Sequence, residues 1–117
     1  MMRALNKNIK NFRNFRGMTQ EDLANIIGKS KNVVSNWERG DNAPDIDTVE
    51  MICKALNVTP NQLFGWEPHK EYEKYNEHME KKRKELDVLE KERTEIQKKI
   101  DKLQYELKIE EERLRGD

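Results

Sequence analysis

Apolar residues in the first half of the chain recur every three or four positions, the spacing that places them on one face of an α-helix. Leu5, Ile9 and Phe12 form the first such stripe, and Gly17 follows at a position where a helix commonly ends. No stretch alternates apolar and polar residues between turn formers as a strand would, so the predicted fold class is all-α. Four further helices are predicted around Leu23 and Ile27, Val34 and Trp37, Val49 and Leu56, and Leu63 and Phe64.

Capping residues and glycines mark the ends of these helices. Thr19 stands three residues before Asp22, an imperfect capping box that predicts the start of the second helix. Gly28 supplies a permissive turn, and Ser30 can cap the third helix, which Gly40 should end. A loop dense in turn-forming residues leads into the fourth helix, and a threonine–proline pair opens a short fifth helix.

The second half of the chain has the pattern of one long helix. From Lys70 to Arg115 there is neither glycine nor proline, and ten of the thirteen seam positions, which alternate three and four residues apart without a slip, are apolar or aromatic. This 3.5-residue period predicts a left-handed coiled coil about 70 Å long. Its apolar seam would face water in a monomer, so at least two chains should associate through it. The apolar and aromatic seam residues are Tyr72, Tyr75, Met79, Leu86, Leu89, Ile96, Ile100, Leu103, Leu107 and Leu114.

Composition separates the same two parts. The chain has 117 residues, of which 39% are charged and 34% hydrophobic, unlike an ordinary globular domain with roughly 25% charged residues. Residues 1–66 carry 9 Lys/Arg and 7 Asp/Glu, whereas residues 67–117 carry 14 and 16 and cannot bury a core of their own. We therefore predict a small helical domain in residues 1–66 and a coiled-coil oligomerisation helix in residues 67–117.

Several classes of function are not expected. A single cysteine, Cys53, and two histidines, His69 and His78, do not supply the clustered ligands of a zinc site, so no metal or cofactor is predicted. No nucleophile with a neighbouring base and no phosphate-binding loop is visible, so we do not expect an enzyme. No apolar run approaches the roughly 20 residues of a membrane span and no export signal is recognisable, which favours a cytoplasmic protein.

One run of residues gives the second and third predicted helices, which Gly28 joins, the specific pattern of a helix-turn-helix. Its parts are Met18 to Ala24, Ile27 with Gly28, Ser30, Val34 to Gly40, Pro44, and Ala55 with Leu56. In that order and spacing the run resembles the lambda-repressor-like helix-turn-helix of the XRE family, which occurs in phage repressors and bacterial regulators. The resemblance covers residues 5–64 and implies a five-helix DNA-binding domain whose third helix enters the major groove. The long helix lies outside the resemblance.

The resemblance implies a role for several residues. Family members read base edges with the start of the third helix, and the matching residues here are Lys31, Asn32, Val33 and Asn36. Lysine can donate to guanine, asparagine can bond adenine in two places, and valine can meet a thymine methyl group, although Val33 is equally explained by packing on its neighbours. The positions that hold the phosphate backbone correspond to Gln20, Ser30 and Arg39. Arg13 and Glu38 match a partly buried ion pair that clamps the first helix to the third.

The charge pattern supports a phosphate-bearing partner only in part. The first 20 residues contain five basic residues and no acid, which makes one end of the domain positive. The loop after the third helix instead carries Asp41 and Asp45, and Lys29 stands where the family usually has an apolar residue. We therefore expect modest affinity for double-stranded DNA.

The long helix is predicted to supply a homodimer, because a single helix-turn-helix makes few base contacts and such proteins commonly bind two half-sites. A parallel pair would oppose Lys82 with Lys82, Arg93 with Arg93 and Glu110 with Glu110. An antiparallel pair would relieve these contacts but separate the two DNA-binding domains by about 70 Å. We favour the parallel pair because it keeps the domains together, and both polarities remain open.

The predicted function is a sequence-specific DNA-binding transcriptional regulator of the repressor kind, which occupies operator DNA as a dimer. The alternative is a coiled-coil interaction adaptor or antitoxin whose helix-turn-helix regulates its own promoter. The charged faces of the long helix are explained most simply by solubility. The alternative explanation of these charged faces is that a second protein binds to the coiled coil.

Overall fold

The computed structural model describes residues 2–116, and this part of the chain contains six helices and no strand. The all-α class and the order of five short helices followed by one long helix are confirmed. The long helix begins and ends at the residues that the absence of glycine and proline indicates. The helices are α1 (Met2–Phe15), α2 (Gln20–Ile27), α3 (Lys31–Arg39), α4 (Ile46–Leu56), α5 (Pro60–Leu63) and α6 (Lys70–Arg115).

Local hydrogen bonds begin these helices, at Thr19 as the sequence predicts and at Asp45 in addition. The Thr19 hydroxyl accepts from the Asp22 N–H at 3.0 Å, and the Asp22 carboxylate accepts from the Thr19 N–H at 2.9 Å, which completes the capping box of α2. Asp45 caps α4 by accepting from the Thr48 N–H at 2.8 Å. These side chains satisfy backbone donors that have no partner inside the helix.

The hydrophobic core lies where α1 to α5 meet, and each of these helices contributes to it. Burying one such aliphatic side chain stabilises the fold by roughly 1.5–3 kcal/mol. Trp37 and Cys53 are also buried. Burial raises the pKa of the Cys53 thiol, and the negative charge of Glu50 raises it to a smaller extent. The large core side chains that are less than 2% exposed are Ile9, Leu23, Val34, Ile52, Leu56 and Leu63.

The chain divides into two compact units, and the first ends at Asn76, ten residues beyond the boundary that composition places after Trp66. The extra residues are 67–69 and the first two turns of α6. His69 caps this helix, because its Nδ1 accepts the N–H of Tyr72 at 3.1 Å. The composition of residues 67–117 does not reveal this attachment, because it averages two aromatic turns with a much longer charged segment.

Aromatic packing holds these first turns of α6 on α1. The Tyr72 ring lies 4.9 Å from the Phe12 ring and 5.6 Å from the Phe15 ring, measured between centroids. Tyr75 lies 5.1 Å from Phe15. Both tyrosines are half-buried, so the first two seam residues of the predicted coiled coil contact α1 of their own chain.

The second unit follows α6 from Glu77 and has no fully buried side chain in its described part. Ion pairs one turn apart, such as Lys91 with Asp87 at 3.1 Å, lie along its surface. Within residues 2–116, none of the helices combines the length and the apolar character that crossing a lipid bilayer requires. The large aliphatic seam residues of this unit, which are 41–88% exposed, are Leu86, Leu89, Ile96, Ile100, Leu103, Leu107 and Leu114.

Candidate nucleic-acid interface

A tight turn between α2 and α3 begins the candidate DNA-reading helix. Gly28 adopts φ +69°, the left-handed conformation that glycine enters without strain, and the Lys29 N–H bonds the Ala24 carbonyl at 2.8 Å. The Ser30 hydroxyl then accepts from the Val33 N–H at 3.2 Å and caps α3. The turn and the cap thus fix where α3 starts and leave its first turn at the surface.

The two faces of α3 have opposite character. Val34 and Trp37 are 0% and 4% exposed and point into the core, as the sequence predicts. Lys31 and Asn32 are exposed, and Asn36 is half-buried one turn further along. Val33 is partly buried and packs against the core, so its methyl groups contact other side chains as well as solvent.

Arg39, at the last turn of α3, is bound to its neighbours. Its Nη2 donates to the side-chain carbonyl of Asn36, and its Nη1 donates to the Ser35 hydroxyl at 2.6 Å. Its Nε lies 3.1 Å from the Asp41 carboxylate, in a pair whose side chains are 58% and 59% exposed. The sequence analysis missed this cluster, although the i, i+3 and i, i+4 spacing of these side chains on one helix face was a signal for it.

Arg13 and Glu38 form a buried ion pair between α1 and α3. The Arg13 Nε and Nη2 lie 2.7 and 2.9 Å from the two carboxylate oxygens, and the side chains are 9% and 4% exposed. Arg13 also donates to the Met18 carbonyl at 2.7 Å, and the Gln20 amide donates to Glu38 at 3.2 Å. This cluster joins α1, the following loop, α2 and α3, so it fixes the position of α3 in the domain.

The basic residues of α1 serve the fold as well as the surface charge. Arg16 donates from Nε to the Leu56 carbonyl at 2.7 Å and from Nη2 to the Asn57 carbonyl at 3.1 Å, where α4 ends. A cation at this place satisfies free carbonyls at the negative end of a helix. Arg16 and Arg13 are therefore both engaged inside the domain, and the positive end is weaker than composition indicates. The sequence analysis missed this role, because no local motif links Arg16 to a helix 40 residues away.

Comparison with known proteins identifies the first unit. The helix-turn-helix family HTH_3 matches residues 9–63. The antitoxin PezA of Streptococcus pneumoniae serotype 4 is 33% identical over 61 residues, which cover 52% of this chain and 39% of that protein. The cryptic phage CTXphi transcriptional repressor RstR of Vibrio cholerae is 35% identical over 57 residues, covering 49% of this chain and 51% of RstR.

A solved structure supports the same assignment. The crystal structure of the hypothetical transcription factor NHTF from Neisseria is 31% identical, with a TM-score of 0.52 over 55% of this chain and 72% of that one. The chain spans only about half or less of the length of PezA and RstR. The matched family segment ends before α6 begins. With its capped α3 and its buried core, the chain belongs to the HTH_3 family of XRE-type helix-turn-helix transcriptional regulators.

Proposed function

We propose that this protein is a sequence-specific transcriptional regulator of the repressor kind, which binds operator DNA as a homodimer with α3 in the major groove. The observation that carries the proposal is the outward face of α3, where Lys31, Asn32 and Asn36 are accessible while Val34 and Trp37 anchor the helix in the core. A rigid, amphipathic helix at the protein surface is the element that a major groove admits.

The side chains on this face match the chemistry of base edges. Lys31 can donate to guanine N7 and O6. The Asn36 carbonyl accepts from Arg39, so its amide group is the part best placed to donate to a base acceptor such as guanine O6, thymine O4 or a purine N7. Two-point recognition of adenine by Asn36 would require its carbonyl to accept from the base as well.

Three further residues suit the phosphate backbone. The Ser30 oxygen accepts from the backbone of α3, which leaves its hydroxyl hydrogen to donate to a phosphate oxygen. Gln20 lies in the first turn of α2, where the helix N-terminus favours an anion. Arg39 is exposed and held by a surface ion pair of low energy, so a phosphate can replace Asp41 as its partner.

The apolar row along α6 supports dimerisation. Leu89, Ile96 and Leu103 are 60%, 56% and 59% exposed, and they recur at the coiled-coil period. Contiguous apolar surface of this kind marks an interaction site. A dimer doubles the number of base contacts, and an occupied operator excludes polymerase. RstR, whose name describes a transcriptional repressor, supports this mode of action. The proposed action needs no enzyme activity and no cofactor.

The test begins with selection of bound fragments from random DNA, which yields the operator. Lys31→Ala with Asn36→Ala should lower the preference for that operator over unrelated DNA at least tenfold, because each specific contact carries about 1–3 kcal/mol. The matched control is Lys54→Ala, an exposed lysine on α4. Thermal unfolding checks that the fold is retained. An unchanged operator preference in gel shifts would show that α3 does not read the sequence.

A second candidate function is an interaction adaptor or antitoxin that regulates its own promoter. The identity with the antitoxin PezA and the exposed row on α6 favour it. Removal of the chain after Asn76, which keeps Tyr72 and Tyr75 in place, separates the two functions. The adaptor function is correct if removal of residues 77–117 abolishes partner binding and the cellular phenotype and the DNA-reading substitutions affect neither.

A further inference from the structure

We infer that α6 pairs with α6 of a second copy in antiparallel orientation, in the one register that sets Arg93 against Glu110 of the second copy. The inference rests on the proposed dimerisation through α6, specifies its geometry, and replaces the parallel pairing favoured from the sequence. Both residues are exposed in the single chain and interrupt the otherwise apolar seam between Leu86 and Leu114. A charged seam residue is costly unless its partner compensates it, so these two residues report the pairing.

A parallel, in-register pair places like charges together at every charged seam position. At the seam it opposes Lys82 with Lys82, Arg93 with Arg93 and Glu110 with Glu110 of the second copy. Beside the seam it brings Glu85 near Glu90 and Glu106 near Glu111 across the two helices, and each of these contacts occurs twice. None of these contacts is attractive. Charged residues therefore do not stabilise a parallel pair between Leu86 and Leu114, where the apolar seam is longest.

An antiparallel pair removes this conflict in a single register, centred between Asp101 and Lys102. Arg93 then faces Glu110 of the second copy, and by symmetry Glu110 faces Arg93 of the second copy. Between Leu89 and Leu114, the other seam residues of this register face only apolar partners. Across the pair, Ile100 faces Leu103, Ile96 faces Leu107 and Leu89 faces Leu114 of the second copy.

The neighbouring antiparallel registers set one or both of these residues against an aliphatic side chain. Sliding the pair by one seam step sets Arg93 against Leu103 and Glu110 against Leu86 of the second copy. Sliding it the other way sets Glu110 against Ile100 of the second copy. Each alternative buries a charge against an aliphatic side chain with no opposite charge facing it, which is unfavourable.

Charges beside the seam favour the same register. Along one side of the antiparallel pair, Glu92 lies near Arg113 of the second copy and Lys99 lies near Glu106 of the second copy, each twice by symmetry. Such flanking pairs set the orientation of coiled coils. Along the other side, two glutamines face each other at the centre, and the single like-charge contact is between Glu90 and Glu111 of the second copy.

Charge reversal in the full chain tests the register. Arg93→Glu and Glu110→Arg should each raise the dimer dissociation constant about tenfold or more, because each creates two like-charge contacts at the seam. The double variant Arg93→Glu with Glu110→Arg should restore dimerisation to within about threefold of the original, since both pairs are re-formed in reverse. Charge-matched controls off the seam are Lys102→Glu and Glu112→Arg, both exposed. Sedimentation measures these five variants and the original protein. Single variants that dimerise as tightly as the original protein would overturn the register. A double variant that dimerises no more tightly than the single variants would overturn it as well.

Spin-label distances test the polarity independently. In a Cys53→Ala background, a label at Lys84→Cys should report about 50–60 Å between copies in the antiparallel register, against about 25 Å in a parallel pair. A label at Tyr105→Cys lies near the centre of the register and should report about 25–30 Å in either polarity, so it controls for dimerisation. A short distance at both labels would overturn the antiparallel inference and leave the dimer intact. No dipolar coupling at either label would overturn the dimer itself.

Discussion

Arg39 donates a hydrogen bond to the side-chain carbonyl of Asn36, so the residue proposed to hold phosphate contacts a residue proposed to read a base on the same face of α3. Asp41 competes for the same guanidinium at 3.1 Å. An acidic side chain next to the proposed phosphate contact at the C-terminal end of α3 opposes binding in two ways. It repels phosphate, and it keeps Arg39 occupied.

Asp41→Asn should therefore bind operator and unrelated DNA several-fold more tightly. The released Arg39 adds one phosphate contact, so the slope of log affinity against log salt should steepen by up to about one. Fluorescence anisotropy at several salt concentrations measures both quantities. Asp87→Asn, in the second unit, is the matched control for lost negative charge. Binding that weakens in Asp41→Asn would mean that Asp41 positions Arg39 productively.

Arg39→Ala should act in the opposite direction. Loss of its phosphate contact weakens binding to all DNA sequences, and the salt dependence becomes shallower by about one unit of slope. Preference between operator and unrelated DNA should change less than overall affinity does. A selective loss of operator binding in the same anisotropy titrations would place Arg39 on a base edge instead.

Arg13→Ala should destabilise the first unit by about 3–5 kcal/mol, because it leaves the Glu38 carboxylate buried without its cation. The free energy of unfolding is measured by urea denaturation. Lys54→Ala removes an exposed ion pair with Glu50 and should change it by less than about 1 kcal/mol. A loss below about 1 kcal/mol in Arg13→Ala as well would show that the buried pair does not hold α1 and α3 together.

The two ends of α6 should respond to substitution in different ways. Tyr72→Ala removes ring contacts with Phe12 and Phe15 and should lower the stability of the first unit by about 2 kcal/mol without changing the oligomeric state. Leu89→Asp with Ile96→Asp should give monomers whose first unit unfolds as before. Sedimentation and thermal unfolding of both variants decide this. A dimer that survives Leu89→Asp with Ile96→Asp would place the main interface elsewhere.

Acid should destabilise the first unit through its capping aspartates. The side-chain and backbone hydrogen bonds from Thr48 lower the pKa of Asp45, and the backbone and side-chain bonds from Thr19 lower the pKa of Asp22. Because folding lowers these pKa values, the ionised aspartates stabilise the folded state fully at pH values above the unfolded pKa of about 3.9. This stabilisation is lost as the pH falls through the lower pKa of the folded state.

The melting temperature should thus fall on acidification below about pH 4. Asp45→Asn with Asp22→Asn keeps two good capping side chains but no titrating group, so its melting temperature should depend less steeply on pH over that range. An identical acid limb in the original and the variant would assign the acid sensitivity to other carboxylates.

The helix boundaries of this protein were predictable because the signals that set them are local. Thr19, Ser30 and Asp45 each bond backbone groups three residues away, and the glycines at 28 and 40 end helices by conformational freedom alone. The core residues also followed from periodicity, because one face of each short helix can only be buried against the others. The outward placement of Lys31 and Asn32 follows from the same periodicity.

Long-range contacts were not predictable in this way. The heptad pattern places Tyr72 and Tyr75 in line with the rest of the seam, but it does not say whether α1 or another chain covers them. Arg16 reaches the end of α4, 40 residues away, without any sequence motif for the contact.

The sequence by itself determined six helices, an all-α fold and a helix-turn-helix whose α3 faces outward, because capping, glycine placement and periodicity act over a few residues. Only the tertiary structure decided which charges remain for DNA and where the first unit ends. Those outcomes depend on which distant groups come together in a limited space, as Arg16 does with the carbonyls at the end of α4. Such competition for space is settled by packing in three dimensions.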